Sequence, residues 1–356
     1  MNEFRSLTEI AQAAQRNLDR ESWDYLTGGA DSETTLKRNR HSIDCLQFRP
    51  RVLSDVSDVQ VGTQLLGNPL RMPVILPPIG SLQLFEEGGG ASVAQAAQAY
   101  GTLQFVSSVT QPDFKTVAAA SSCPKVFQLY LMGDQGWMDD LIAQAIEHGY
   151  VGFCLTADTQ VYSRRERDLL KRWTPPSGSA AGATDFSYQA RMSWDTVAHI
   201  KENFDIPLVV KGINTADDAN RAVSAGVDVV YVSNHGGRQL DHSRGAIDSL
   251  PEVAAAVDGR VPVVVDGGFM RGADVLKALC LGADIVGMGR LEGLALAAGG
   301  AAALEQALGL VEQELKTNMG LLGASRLDEL NPGLLEAAAA VTPPHVLSAL
   351  PLLDQY

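Results

Sequence analysis

Basic residues are in short supply. Lys and Arg number 28 against 42 Asp and Glu in 356 residues, a formal net charge of −14. Polyanions are bound through dense positive fields, so this balance excludes nucleic acid and anionic membrane as general partners. It leaves room for a small anion in a locally cationic pocket. Cysteine is scarce too. Cys45, Cys123, Cys154 and Cys280 lie far apart and form no CxxC pair. Three sit in or beside apolar segments, which reads as buried reduced thiols. No His, Cys or Asp cluster has metal-ligand spacing, so no metal is expected. Apolar runs fall short of the roughly 20 residues of a membrane span, and MNEFRSLTEIAQAAQRNLDR lacks the apolar centre of a signal peptide. A soluble, cytoplasmic chain with no membrane partner is the expectation. Disorder is excluded by 46% hydrophobic residues, enough apolar surface to offset chain entropy.

What the chain does have is glycine and proline, 34 and 16 of them. Their placement becomes regular once apolar, β-branched runs are marked at 72–78, 102–108, 124–130, 151–158, 207–212, 227–235, 262–268 and 283–290. Continuous hydrophobicity suits parallel strands buried on both faces. Runs one, three, five and seven begin at Pro73, Pro124, Pro207 and Pro262. Runs two, four, six and eight follow Gly101, Gly149, Gly226 and Gly282, each ending a helical pattern. Eight strand–helix units within about 72–290 predict an α/β fold, a (β/α)8 TIM barrel with an N-terminal helical extension and C-terminal helices. No Gly-x-Gly-x-x-Gly turn follows the first strand, which disfavours the doubly wound alternative. The helical extension has Ser6, Glu21 and Asp31 near helix starts, followed by a hairpin across VQVGTQLLGNPLRM. Neither end can form a core alone, so residues 1–356 read as one domain. A long connection, about 159–192, reads as a mobile loop whose RRERDLLKR stretch can present cations to an anionic ligand.

Active sites of such barrels lie at the C-terminal strand ends. Here those ends are polar: Pro78, Ser107 and Ser108, Gln128 and Tyr130, Thr156 and Asp158, Lys211, Ser233 and His235, Asp266 with Gly267 and Gly268, then Gly289 and Arg290. DGGFMRG and GMGR place glycines and arginines after strands seven and eight, the arrangement of a phosphate site. His235, within SNHGGRQLD, is a candidate general base, with Asp158 placed to orient it. No nucleophilic Ser or Cys accompanies the pair, so acyl transfer is disfavoured.

SNHGGRQLD, VVVDGGFMRGADVLKALCLGAD, GMGR, WDYLTGGADSETTLKRNR, FQLY and LTADTQVYSRRERD together resemble the FMN-dependent 2-hydroxy-acid oxidases and dehydrogenases. The likeness extends over nearly the whole chain. It implies FMN as cofactor and oxidation of an (S)-2-hydroxy acid to the 2-oxo acid, with electrons passed to oxygen or an external acceptor. Residue by residue, it implies His235 as catalytic base, Asp158 behind it and Tyr130 beside the substrate hydroxyl. Arg165, Arg238 and Tyr25 would bind the substrate carboxylate. Pro78, Ile79, Gly80, Ser107, Gln128, Thr156, Lys211 and Ser233 would face the flavin ring. Asp266, Gly267, Gly268, Gly289 and Arg290 would hold the ribityl phosphate. A homo-oligomer, a tetramer, is also implied.

The sequence departs from that family at several places. Met270 stands where an arginine is common, with Arg271 next and able to share the phosphate contact. Glu86-Glu87-Gly88-Gly89-Gly90 replaces a His-Pro-Glu-Gly-Glu segment, which reads as altered helix capping. Gly80, Val109 and Tyr162 differ from many short-chain oxidases, and a smaller wall suggests a larger substituent than glycolate has. The long loop has no apolar membrane-binding helix, and no haem domain precedes the barrel. Alternatives are another FMN barrel enzyme, such as an isoprenoid diphosphate isomerase-like protein, or a flavin-binding barrel without turnover.

Overall fold

Proline and glycine punctuate the sheet as the sequence suggests. In the computed structural model, which describes residues 3–177, 187–353 and 355, the barrel strands are β1 Val74–Ile75, β2 Gln104–Ser107, β3 Lys125–Leu129, β4 Gly152–Thr156, β5 Leu208–Ile213, β6 Val229–Val232, β7 Val263–Val265 and β8 Ile285–Gly287. The four prolines each stand one residue before a strand, where a missing N–H forfeits no ladder bond. The four glycines end their helices with positive φ. All eight strands pair in parallel, β8 returns to β1, and a bridge from Leu76 to Gln104 closes the cylinder.

The strands are buried on both faces. Inside, Ile75, Phe105, Cys154, Val209, Tyr231 and Ile285 fill the barrel, and the antiparallel pair Thr63–Leu65 and Asn68–Leu70 adds Leu65 and Leu70 to that cluster. This is the hairpin expected from the sequence. Outside, the strands pack on helices α4 Gly89–Tyr100, α5 Phe114–Ala120, α6 Gln135–Glu147, α8 Ser187–Ala190, α9 Trp194–Asn203, α10 Ala216–Ser224, α11 Ala246–Val257, α12 Gly272–Cys280 and α13 Gly289–Leu322, whereas α7 Glu166–Lys171, between α6 and α8, lies against the N-terminal helix at Arg20–Thr27. All four cysteines are free, and three are buried.

Three helices precede the barrel: α1 Leu7–Asn17, α2 Arg20–Thr27 and α3 Thr34–Asp44. Ser6 caps α1 by accepting from the Glu9 N–H, and Asp19 caps α2, with Glu21 in its first turn. Among the described residues, α13 is the one helix long and apolar enough to cross a membrane. It breaks at Gly299–Gly300, and its buried residues run from Leu291 to Leu322 against α1, α4 and α12.

The connection after β4 is tied to the N-terminal helices. Arg167 on α7 pairs with Asp24 at 3.2 Å and Glu33 at 2.7 Å, and Lys171 pairs with Asp24. Within the 159–192 stretch expected to be a mobile loop, residues 178–186 lie outside the described residues.

Candidate active site

The C-terminal strand ends open into a cavity. Its walls combine Pro77–Gly80 after β1, Tyr130 after β3, Lys211 in β5, His235 and Arg238 after β6, Asp266–Phe269 after β7, and Gly289 and Arg290 after β8. The N-terminal helices add Tyr25 and Leu26, and the β4 connection adds Tyr162, Arg165 and Ser177. Parallel register sets Ser107 beside Gln128 and Thr156 beside Lys211. Gln128 Nε2 donates to Thr156 Oγ1 at 2.8 Å.

His235 sits in the left-handed region at φ 57°, unusual for a residue with a side chain and common at functional sites. The two glycines after it share that conformation. A Cβ on Gly237 would lie 2.5 Å from the Leu36 backbone nitrogen, so the tight return after β6 needs glycine there. The turn aims Nδ1 at Asp158 Oδ1, 3.0 Å away, and leaves Nε2 facing the Tyr130 hydroxyl at 3.3 Å. Burial disfavours the charged form of both partners. His235 and Lys211 nevertheless hold Asp158 below its ordinary pKa. Burial, reinforced by Lys211 and Arg165 and opposed by Asp158, holds His235 below its own. The resting pair is therefore carboxylate and neutral imidazole, with a free base at Nε2.

Cationic groups crowd the same cavity. Arg238 lies 4.8 Å over the Tyr25 ring and donates to the backbone carbonyls of Tyr25 at 2.6 Å and Gly28 at 3.1 Å. Arg290 donates to the same Gly28 carbonyl at 3.0 Å, and Arg165 lies 5.4 Å over the Tyr162 ring. Burial, then neighbouring Arg165, lowers Arg238 to about 10. Burial, then Arg238, lowers Arg290 to about 9. The Nε atoms of Arg165 and Arg290 are buried without a partner among the described residues. Like charges desolvated together are costly, and anions in the cavity would relieve that cost.

Lys211 is differently placed. It donates to Ser233 Oγ at 2.6 Å and lies 3.2 Å from Asp266, while Ser233 Oγ donates to Asp266 Oδ1 at 2.5 Å. Burial alone would lower its pKa, but Asp266 and Asp158 hold it above the ordinary value. It is a fixed positive charge at the cavity floor.

The glycines after β7 are braced by a helix, α3, that carries no motif of its own. A Cβ on Gly268 would lie 3.1 Å from Asn39 Cβ. Arg40, on the same α3, donates to the Gly268 carbonyl at 2.7 Å and pairs with Asp274 at 2.7 Å. Asn39 and Asn234 exchange amide hydrogen bonds at 3.0 and 2.7 Å. Arg271 is not brought to the cavity: it pairs with Glu314 on α13 at 2.6 Å. Met270 beside it is buried. Leu26, Phe85, Ser177 and Phe269 also line the cavity. Ser177 carried no sequence signal, because its place depends on a long connection folding back.

Gly80 opens less space than its missing side chain suggests. A Cβ there would meet Val109 Cγ2 at 2.9 Å and Ser177 Cβ at 3.4 Å. Those two side chains already close that wall.

Comparison with known proteins adds an independent line. The FMN-dependent dehydrogenase family model matches residues 14–337. The chain is 36% identical to an L-lactate oxidase of a Nostoc species, over 93% of this chain and 97% of that protein. It is 34% identical to an L-lactate dehydrogenase of a Caulobacter species, over 93% and 98% respectively. A solved structure of a mandelate oxidase with (S)-2-phenylpropionate superimposes with a TM-score of 0.86 at 33% identity, covering 95% of this chain and 99% of that one.

Proposed function

The chain belongs to the FMN-dependent dehydrogenase family, and we propose that the cavity oxidises an (S)-2-hydroxy acid to the 2-oxo acid, with the residue roles given below. The observation that carries this reading is His235, held by Asp158, in one cavity with Arg165, Arg238 and Arg290, where the Nε atoms of Arg165 and Arg290 have no partner among the described residues. A base next to a carboxylate clamp suits a substrate with a hydroxyl on the carbon beside its carboxylate.

The cavity fits FMN by its own chemistry. Gln128 Oε1 is buried without a partner among the described residues, an acceptor suited to the imide N–H of a flavin ring. Arg290 and the backbone around Gly267, Gly268 and Gly289 suit its phosphate. Lys211 suits the pyrimidine edge, where reduction builds negative charge. When bound, FMN supplies the two-electron acceptor that no protein side chain here can provide.

The protein's own part is binding, orientation and proton transfer. Arg165 and Arg238 hold the planar carboxylate, with the Tyr25 hydroxyl as a third donor. That fixes the hydroxyl-bearing carbon between His235 and Tyr130. His235 Nε2 takes a proton from the substrate, and the Asp158 carboxylate stabilises the imidazolium that results. Lys211, anchored by Ser233 and Asp266, meets the charge that develops on the other side.

The resemblance also supports a tetramer, and oxygen or an external acceptor as the electron sink. The test is turnover of paired (S)- and (R)-2-hydroxy acids, assayed for 2-oxo acid, with peroxide measured in air and dye reduction without it. Product from (S)-acids alone supports the reading. No product from any 2-hydroxy acid would overturn it.

A further inference from the structure

Beyond Tyr162 and Arg165, the long connection after β4 returns to the cavity at Ser177. Trp173 stands edge-on to Tyr25, with ring centroids 6.0 Å apart at 68°. Four residues on, the Ser177 N–H donates to Ser81 Oγ at 2.8 Å, which pins the backbone against the turn after β1. Ser177 is buried, and its hydroxyl lies 3.4 Å from the Tyr25 hydroxyl. The Tyr25 hydroxyl in turn donates to the Gly80 carbonyl at 3.0 Å.

This arrangement poses a switching problem for Tyr25. Its single proton is engaged with Gly80, yet a substrate carboxylate needs that proton. When Tyr25 turns its O–H to the carboxylate, the phenol oxygen is left facing Ser177. We propose that Ser177 is a positioning residue: its hydroxyl donates to the Tyr25 oxygen in the substrate complex and holds the tyrosine's proton toward the carboxylate. The 3.4 Å separation is long for an O–H···O bond, and such contacts tighten when the substrate complex forms. Docking and positioning use different atoms. The backbone N–H holds the loop, while the side-chain oxygen addresses Tyr25, so a serine-to-alanine change separates the two.

The proposal rests on the reading of Tyr25 as a carboxylate donor, and the test keeps them apart. KM and kcat for L-lactate and (S)-mandelate are measured in S177A, S177T, Y25F and the Y25F/S177A double variant, with thermal midpoints alongside. S177A is expected to raise KM roughly three- to tenfold, the worth of one hydrogen bond, with kcat within about twofold and an unchanged midpoint. S177T restores KM, and S177A adds nothing in the Y25F background. Wild-type KM in S177A beside raised KM in Y25F overturns the role of Ser177 alone. Wild-type KM in Y25F overturns the role of Tyr25 and the proposal with it. An S177A effect that persists undiminished in Y25F marks a structural role and also overturns the proposal.

Discussion

His235 Nδ1 lies 3.0 Å from Asp158 Oδ1, and the opposite nitrogen faces the Tyr130 hydroxyl at 3.3 Å. One ring nitrogen is thereby committed to orientation and the other to chemistry. Replacing His235 by Gln should slow reduction of the bound flavin about 10²–10⁴-fold, the range of a lost general base, while the flavin stays bound. Rapid mixing with substrate measures this; an undiminished rate would remove His235 as base.

The pH profile follows from the same pair. His235 works neutral, and its pKa is lowered, so kcat/KM should rise with pH through an acid limb below the ordinary value of about 6.5 and then level off. Asp158 opposes that lowering. The D158N variant should therefore be slower and show its acid limb at still lower pH. A limb that moves upward in D158N would contradict the assigned electrostatics. At the alkaline end, KM should climb as pH approaches the Arg238 value of about 10.

The two arginines after β7 and β8 should separate cleanly. R290A should lose FMN on gel filtration, because its guanidinium lines the cavity. R271A should keep FMN and lower the thermal midpoint by a few degrees, since a partly exposed bidentate ion pair with Glu314 is worth about 1 kcal/mol. Loss of FMN from R271A would restore the phosphate role that its sequence position suggests.

Much of this architecture is legible in the residues themselves. Proline before a strand and glycine after a helix are local rules, so eight units could be counted from the chain. The strand-end rule then placed His235, Asp158, Lys211 and Arg290 near one another, because a closed parallel barrel puts all such ends on one rim. What escaped depends on distant contacts. Asn39 and Arg40 brace a loop more than 220 residues away, and no periodicity encodes that. Arg271 shows the same dependence: one position along a turn decides whether a side chain faces the cavity or Glu314.

Glu292 is a buried group that the proposed chemistry does not use. Two residues beyond Arg290, it is 1% exposed, and neither carboxyl oxygen has a partner among the described residues. Burial pushes its pKa well above the ordinary value. A raised carboxyl pKa means stability that is full below the unfolded value and is lost as pH rises toward the folded one. E292Q should thus raise the thermal midpoint at pH 8 more than at pH 5. An equal change at both, followed by calorimetry or circular dichroism, would show the carboxyl to be already ionised and paired.

The most direct test of the account is the visible spectrum of the purified protein mixed with an (S)-2-hydroxy acid without oxygen. The account predicts a yellow flavin chromophore that bleaches with (S)-lactate or (S)-mandelate, and much more slowly in H235Q. A colourless protein, or a yellow one that no 2-hydroxy acid bleaches, would contradict it.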